Sequence, residues 1–333
     1  MHIAMDGREA LNEKRTGKGQ WAHGFMQELQ KRDVRLTSLV YSHLYTIKTL
    51  LRLKPDLYVS PTSYIVPALI GKWISCAIVV HDLIAFQNEP HDFKAMWIER
   101  LTLRWALKYS KWVFTVSKAT KRDLLERFPW VEPAKVRVIY AGPSLTGNTK
   151  SEVRNPKQRT TILCIGTLCP RKNQLRLIEA FEHLPRRGRI KEGGLELALA
   201  GARGWHDDEI VQKAKKTPNV TWLGHVSDDQ YRELLESATI FALPSLYEGF
   251  GLAVLDAMIM GIPVLTSARG SLKEIAGDAA LYIDPENIDS ITEGLKRLLK
   301  DENLRSDLAE KGLRQAQKFS WERTVDLFLQ FIQ

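Results

Sequence analysis

The segment Leu243-Pro-Ser-Leu-Tyr-Glu-Gly-Phe-Gly-Leu-Ala-Val-Leu-Asp256 brings two carboxylates and two glycines to a spacing that can do chemistry. Ile240 to Leu243 is a short apolar run that reads as a buried strand, ended by Pro244 and Ser245. Glu248 then falls in a short loop with Gly249 and Gly251, and a helix is expected to begin near Phe250. Asp256 lies eight residues after Glu248, about two helical turns on and on the same side of the axis. The backbone N–H groups of Gly249, Phe250, Gly251 and Leu252 would ring the same place. A helix N-terminus can take a phosphate, and ligands of open α/β sheets bind at the carboxyl ends of strands. Carboxylates there can take sugar or ribose hydroxyls. A ligand with both features is a nucleotide sugar.

Cations stand at a second strand end. In Gly166-Thr-Leu-Cys-Pro-Arg-Lys-Asn173 a strand stops and a helix starts near Asn173, which leaves Arg171 and Lys172 able to neutralise a diphosphate leaving group. Read alone, the same residues are equally a solvated basic turn. A third strand-end turn, Gly224-His-Val-Ser227, could hold a nucleobase through backbone groups at Val226, although His225 by itself is more simply a surface histidine. Nearer the start, Gly17 and Gly19 allow close approach to a phosphate. Their spacing, with the next glycine at Gly24, departs from the Gly-x-Gly-x-x-Gly dinucleotide fingerprint, and a plain tight turn explains them as well. His81-Asp82 ends another strand; His81 could bond a sugar hydroxyl or support charge near a scissile bond, or simply cap the next helix. The sequence has no Asp-x-Asp motif, no Cys/His zinc spacing and no Gly-x-x-x-x-Gly-Lys-Ser/Thr loop. Neither metal nor cofactor is expected, and Arg171 and Lys172 would do the work of a metal.

Elements that alternate must position these groups. Strands are expected at His2–Met5, Val34–Val40, Asp56–Ser60, Cys76–Val80, Trp112–Val116 and Val136–Ile139, with helices at about Trp21–Lys31 and Phe93–Trp112. Residues 142–158 are polar and turn-rich and read as a linker. A second series follows, with strands at Thr161–Ile165, Leu195–Ala200, Val220–Leu223, Ile240–Leu243, Val264–Thr266 and Leu281–Ile283, and a helix at Asp228–Ser237. Such alternation implies parallel sheets covered by helices on both faces. The expected class is α/β, with two doubly wound domains at 1–148 and 149–317 and a cleft between them that could shield a transfer from water. Residues 318–333 form an amphipathic helix expected to pack back on the first domain.

The chain has 333 residues, 44% of them hydrophobic, which suits two domains of ordinary size. Cys76, Cys164 and Cys169 give no disulfide framework, so a reducing, cytoplasmic setting is expected. Met-His-Ile-Ala-Met-Asp is not a basic region followed by an apolar core, so no signal peptide is expected, and no apolar run approaches the roughly 20 residues of a membrane span. The net charge of +9 is uneven: residues 1–150 carry 23 Lys and Arg against 13 Asp and Glu, and residues 151–333 carry 25 against 26. The basic half suggests an anionic surface, whether a membrane leaflet, a phosphorylated lipid or nucleic acid, or is merely a soluble basic domain; the expected partner is a membrane surface, with no nucleic acid. In the helix expected at 93–112, Arg100, Arg104, Lys108 and Lys111 form a basic stripe beside Trp97, Leu101, Trp105 and Trp112. That helix either lies on an anionic membrane or packs as a core helix with a charged outer face.

Taken together the motifs resemble the retaining glycosyltransferase family 4, of GT-B fold, and within it the mannosyltransferase-like group. The resemblance is carried by Gly166-Thr-Leu-x-Pro-Arg-Lys-Asn173, Pro244-Ser-x-Tyr-Glu-Gly-Phe-Gly251, Gly261-Ile-Pro-Val264 and Lys273-Glu-Ile-Ala-Gly277, and more loosely by Asp6-Gly-Arg, Thr16-Gly-Lys-Gly, His81-Asp-Leu83 and Ser117-Lys-Ala-Thr. It implies that Glu248 contacts the transferred sugar and Asp256 the ribose. Arg171 and Lys172 would bind the diphosphate, with Gly166 and the backbone of Gly249 to Leu252 completing the phosphate site, Gly17 facing it across the cleft and His81 beside the sugar. The family pattern has a second glutamate where this chain has Asp256, and many members carry an arginine where it has Thr167.

The function so implied is transfer of a hexose, with retention and without metal, from a nucleotide sugar to a lipid-linked or polysaccharide acceptor. GDP-mannose is the expected donor and a UDP- or dTDP-sugar the alternative. The setting would be cytoplasmic, peripheral at the cytoplasmic face of a membrane. Rival readings are a nucleotide-sugar epimerase or phosphorylase of the same fold, and a non-catalytic nucleotide- or membrane-binding protein.

Overall fold

The computed structural model describes residues 1–87, 93–145, 160–185 and 194–333. The chain divides into two compact units, one made of Met1–Ser144 with Phe319–Gln333 and the other of Leu145–Lys318. Most of the segment read as a linker, 146–158, and the expected boundary near 148 lie outside the described residues.

The first unit alternates strand and helix: β1 (His2–Asp6), α1 (Gly17–Leu29), β2 (Arg35–Leu39), α2 (His43–Leu53), β3 (Leu57–Ser60), α3 (Ile65–Ile70), β4 (Cys76–Val80), α4 (Phe93–Tyr109), β5 (Trp112–Thr115), α5 (Lys118–Arg127) and β6 (Val136–Val138). Among the described residues these strands form a six-stranded sheet in the order β2-β1-β3-β4-β5-β6, every pair parallel. β4 is buried along its whole length, as a strand covered by helices on both faces must be. Helix α1 starts four residues before the expected Trp21. Thr16 caps it, accepting the Gly19 N–H through its side chain.

Helix α4 stops at Tyr109, short of the expected Trp112. Trp112 opens β5 instead, so it is not part of the helical apolar stripe, and Lys111 is not part of the basic one. Ser110 and Lys111 turn the chain, and Lys111 N–H donates to the Cys76 carbonyl at the start of β4. The core side of α4 is Leu103, Ala106 and Leu107, which pack with Ile78, Val80 and Leu124.

The second unit runs β7 (Thr160–Ile165), α6 (Gln174–Glu182), β8 (Leu195–Ala200), α7 (Asp208–Lys216), β9 (Val220–Trp222), α8 (Asp228–Ser237), β10 (Ile240–Leu243), α9 (Leu252–Ile259), β11 (Val264–Ser267), α10 (Leu272–Ala276), β12 (Ala280–Ile283), α11 (Ile288–Lys300) and α12 (Glu302–Ala316). Its sheet, again six-stranded and parallel among the described residues, has the order β12-β11-β10-β7-β8-β9. From β7 the chain steps outward to β8 and β9, then crosses back to lay β10 on the other side of β7. The carboxyl ends of β7 and β10 therefore flank a topological switch point, where the loops must diverge and leave a crevice.

The last helix, α13 (Trp321–Ile332), belongs to the first unit and packs on α1. Ser320 caps it, and its buried face is Thr324, Val325, Phe328 and Ile332. Phe328 meets Phe25 edge-on, with ring centroids 5.0 Å apart, and the indole N–H of Trp112 donates to the Phe331 carbonyl at 2.8 Å. Phe328 is fully buried, so Phe328→Ala should cost about 3–5 kcal/mol in equilibrium urea unfolding. A loss below about 1 kcal/mol would mean that α13 is dispensable to the unit.

Candidate active site

Glu248 sits in the loop after β10, and Arg171 and Lys172 in the 3-10 turn after β7, so the switch point brings the three together. Lys172 Nζ lies 2.6 Å from Glu248 Oε1, and Arg171 Nη1 lies 3.2 Å from Oε2. Ser245 Oγ donates to Oε1 at 2.7 Å. All three charged side chains are largely buried. Burial alone pushes the Glu248 carboxyl up, but Lys172, then Arg171, and the Ser245 hydroxyl outweigh it and hold it below the ordinary carboxylate range. The trio sets two cations around one anion.

Several neighbours lock the trio. Asn173 takes φ +62, and its Nδ2 donates to the carbonyls of Pro244 at 3.0 Å and Pro285 at 2.6 Å, tying the β7 loop to the β10 loop. Arg171 Nη1 also donates to the Tyr247 carbonyl at 2.5 Å, and Leu246 N–H to the Arg171 carbonyl. Gly166, at φ +154, has Lys172 Cε only 3.2 Å from where a Cβ would stand, so the lysine stem lies along bare backbone. The loop after β11 closes the other side. Ser271 donates through N–H and Oγ to the Glu248 carbonyl, and its Oγ also reaches the Phe250 carbonyl. Gly270 approaches so closely that a Cβ would be 2.4 Å from the Glu248 carbonyl oxygen.

Helix α9 begins at Leu252, two residues later than expected, because Gly251 takes φ +100 as its cap. Gly249, Phe250, Gly251 and Leu252 thus lead directly into its first turn, whose N–H groups lack intrahelical acceptors. Asp256 is on the following turn and is wholly buried. Its Oδ2 accepts the Tyr231 hydroxyl of α8 at 2.7 Å, and burial and this carboxylate push the Tyr231 phenol well above its ordinary range. Gly224 and Val226 follow β9 at the same edge of the sheet, with His225 exposed and Ser227 capping α8 in a capping box with Gln230. The Gly201 N–H donates to the Gly224 carbonyl, holding this turn to the end of β8.

The first unit holds the remaining predicted residues. Gly17 is exposed at the start of α1, with open space where its Cβ would be, whereas a Cβ at Gly19 would meet the Glu9 carbonyl. His81 is buried: its Nε2 donates to the Pro61 carbonyl at 2.7 Å, and Trp21 packs edge-on against the ring at 5.4 Å. Burial, then Lys18, lowers its imidazole to about 4, so the ring is neutral near pH 7. Lys18 lies 3.8 Å from both Asp82 and Glu99.

Sequence reasoning missed Ser245, Tyr231, Gly270 and Ser271. Gly270 and Ser271 follow β11, the next strand end beside β10, and an inspection of every strand-end loop would have found them. The Tyr231–Asp256 contact joins residues 25 apart on two helices and leaves no local signal.

Two outcomes check this geometry. Gly270→Ala adds a clash and forces alanine to φ +58, so it should lower stability by about 2 kcal/mol or more in thermal unfolding; an unchanged melting point would show that the Glu248 loop yields freely. His81 is protonated less readily when folded, so its contribution is present above its ordinary value of 6.5 and is lost as pH falls from there toward 4. His81→Gln should flatten that part of the stability–pH curve by about 3 kcal/mol, and an identical curve would contradict the buried neutral ring.

A family model described as "Glycosyl transferases group 1" matches residues 147–315, and one described as "Glycosyltransferase Family 4" matches residues 12–145. The O-antigen chain mannosyltransferase B of Escherichia coli is 33% identical over 73% of this chain and 66% of its own length. The MMP alpha-(1->4)-mannosyltransferase of Mycolicibacterium hassiacum is 30% identical over 63% of this chain and 51% of its own length. The matches thus span about half to two thirds of those relatives. The crystal structure of Anabaena Alr3699/HepE in complex with UDP-glucose superposes with a TM-score of 0.79 over 99% of this chain and 98% of that one, at 16% identity, a likeness of fold. With both halves matched by family models and two parallel doubly wound sheets in place, the chain belongs to the family 4, group 1 glycosyltransferases and has the GT-B fold.

Proposed function

We propose that this protein transfers mannose from GDP-mannose, with retention of anomeric configuration and without a metal, to a lipid-linked or growing polysaccharide acceptor at the cytoplasmic face of a membrane. The observation that carries the reading is the buried carboxylate of Glu248 held between Lys172 and Arg171 at the switch point. The mannosyltransferase names of the two relatives support mannose as the sugar.

In this reading the diphosphate enters the crevice on Arg171 and Lys172, beside the backbone of Gly166 and the N–H groups of Gly249 to Leu252. The two cations offset the negative charge that grows on the leaving phosphate, the part a metal plays elsewhere. Glu248, released in part from its cations, accepts hydroxyls of the hexose and stabilises positive charge at the anomeric carbon. The bond from that carbon to the phosphate oxygen breaks as the acceptor oxygen bonds to the same face, and the departing phosphate oxygen takes the acceptor proton. The turn at Val226 receives the base. Asp256 serves the ribose by sharing its carboxylate between Tyr231 and the sugar. Gly17 offers open backbone to the phosphates, and neutral His81 orients the hexose.

A thermal-shift series with GDP-mannose, UDP-glucose and a dTDP-sugar tests the donor, because a ligand of the folded state raises the melting point by mass action. GDP-mannose should give the largest rise; a larger rise with a UDP- or dTDP-sugar would replace the donor and leave the site standing. Glu248→Gln should lower kcat by about 100-fold or more while GDP affinity stays within a few-fold. Unchanged turnover in a folded Glu248→Gln variant would overturn the site. Lys172→Ala should weaken GDP binding about tenfold in calorimetry, and a chelator should leave turnover unaffected.

A further inference from the structure

The outward face of α4 is apolar where a helix covering a sheet is normally polar. Trp97 is 53% exposed and Leu101 61%, with Ile98 and Trp105 exposed beside them. This is not the core side, which is Leu103, Ala106 and Leu107. Helix α3 packs on α4 and α2 on α3, and both carry exposed apolar residues of their own. Leu69 is exposed on α3, Trp73, just after it, is 74% exposed, and Leu44, Tyr45 and Leu51 are exposed on α2. Soluble monomers rarely expose a contiguous apolar area larger than a few hundred Å².

Cations border the patch. The Lys72 ammonium lies 4.8 Å from the Tyr109 ring centroid, and Lys108 lies 5.5 Å from that of Trp105, which stacks on Tyr109. The Arg100 guanidinium lies 5.8 Å from the Trp97 centroid. Arg104 on α4 and Lys48 and Arg52 on α2 are exposed. Across α2, α3 and α4 the sequence has one carboxylate, Glu99, and that one lies 3.8 Å from Lys18. Amphipathic tryptophans and leucines among lysines and arginines, with no exposed acid on these helices, match a lipid headgroup layer of negative charge. A second copy of this chain would bring a like-charged rim to the same face, which disfavours self-association.

We propose that the outer face of α2, α3 and α4 docks on an anionic phospholipid bilayer, with Trp97, Ile98, Leu101 and Trp105 inserted among the headgroups and Lys72, Arg104 and Lys108 on the phosphates. This assigns the surface for the membrane-presented acceptor proposed above and rests on that reading for its purpose.

The test is co-sedimentation of the full chain with vesicles of phosphatidylcholine, with and without phosphatidylglycerol. Binding should require phosphatidylglycerol and weaken with salt. The combined variant Trp97→Ser, Leu101→Ser, Trp105→Ser should lower partitioning about tenfold or more, and Arg104→Glu with Lys108→Glu should abolish the lipid-charge dependence. An unchanged melting temperature and GDP binding would show that the variants remain folded. Equal binding to neutral and anionic vesicles, no binding at all, or full binding by the folded triple variant would overturn the proposal. So would a concentration-dependent dimer in sedimentation equilibrium that the triple variant abolishes. Transfer measured on a detergent-dispersed acceptor reads the proposed reaction separately: vesicle binding without transfer would fail that reading and leave the docking face standing.

Discussion

The site depends on one arrangement, a carboxylate at the end of one strand neutralised by two cations at the end of its neighbour. Withdrawing Glu248, Lys172 and Arg171 from water costs several kcal/mol per ion, and a buried ion cluster commonly returns little net stability over an apolar replacement. What such a cluster does supply is position. Each ion is held by the others, two cations to one carboxylate. An anion that enters finds donors already oriented, so little reorganisation accompanies binding.

Topology makes this possible. The two loops meet only because β10 returns to pair with β7 after β8 and β9 have been laid on the other side. Had the strands followed one another in simple order, residues near 171 and 248 would stand several strands apart. The loops are then fixed by groups with no chemistry of their own: the left-handed Asn173 bonded to two proline carbonyls, and Gly270 and Ser271 pressed on the backbone of Glu248. The first unit supplies a contrasting surface. Its interior is ordinary, but its outer helical layer carries tryptophan and lysine where glutamate would normally keep the surface wet.

Much of this was legible in the sequence. The alternation of apolar runs and amphipathic stretches gave the α/β class and nearly every strand, since a strand buried on both faces must be a short continuous apolar run. Glu248, Arg171 and Lys172 were legible because each lies in the loop that follows such a run. Helix ends were less so. Gly251 delays α9 through a backbone conformation, Thr16 advances α1 by a capping bond, and neither signal is periodic. At α4 the sequence offered an apolar stripe of Trp97, Leu101, Trp105 and Trp112 beside a basic one, and periodicity does not say whether a sheet will cover it. The exposure of Trp97 and Leu101, and the place of Trp112 in β5, follow from tertiary packing. Tyr231 was invisible because its partner, Asp256, is 25 residues away and read as a ligand contact of its own.

The central claim is that the crevice between the ends of β7 and β10 receives the donor's diphosphate on Lys172 and Arg171 and its sugar on Glu248. A crystal structure of the protein with GDP-mannose tests it most directly. The account predicts a phosphate oxygen about 3 Å from Lys172 Nζ and a hexose hydroxyl at similar distance from a Glu248 carboxylate oxygen that has parted from at least one cation. A nucleotide bound elsewhere, with the Glu248–Lys172–Arg171 contacts unchanged, would contradict it.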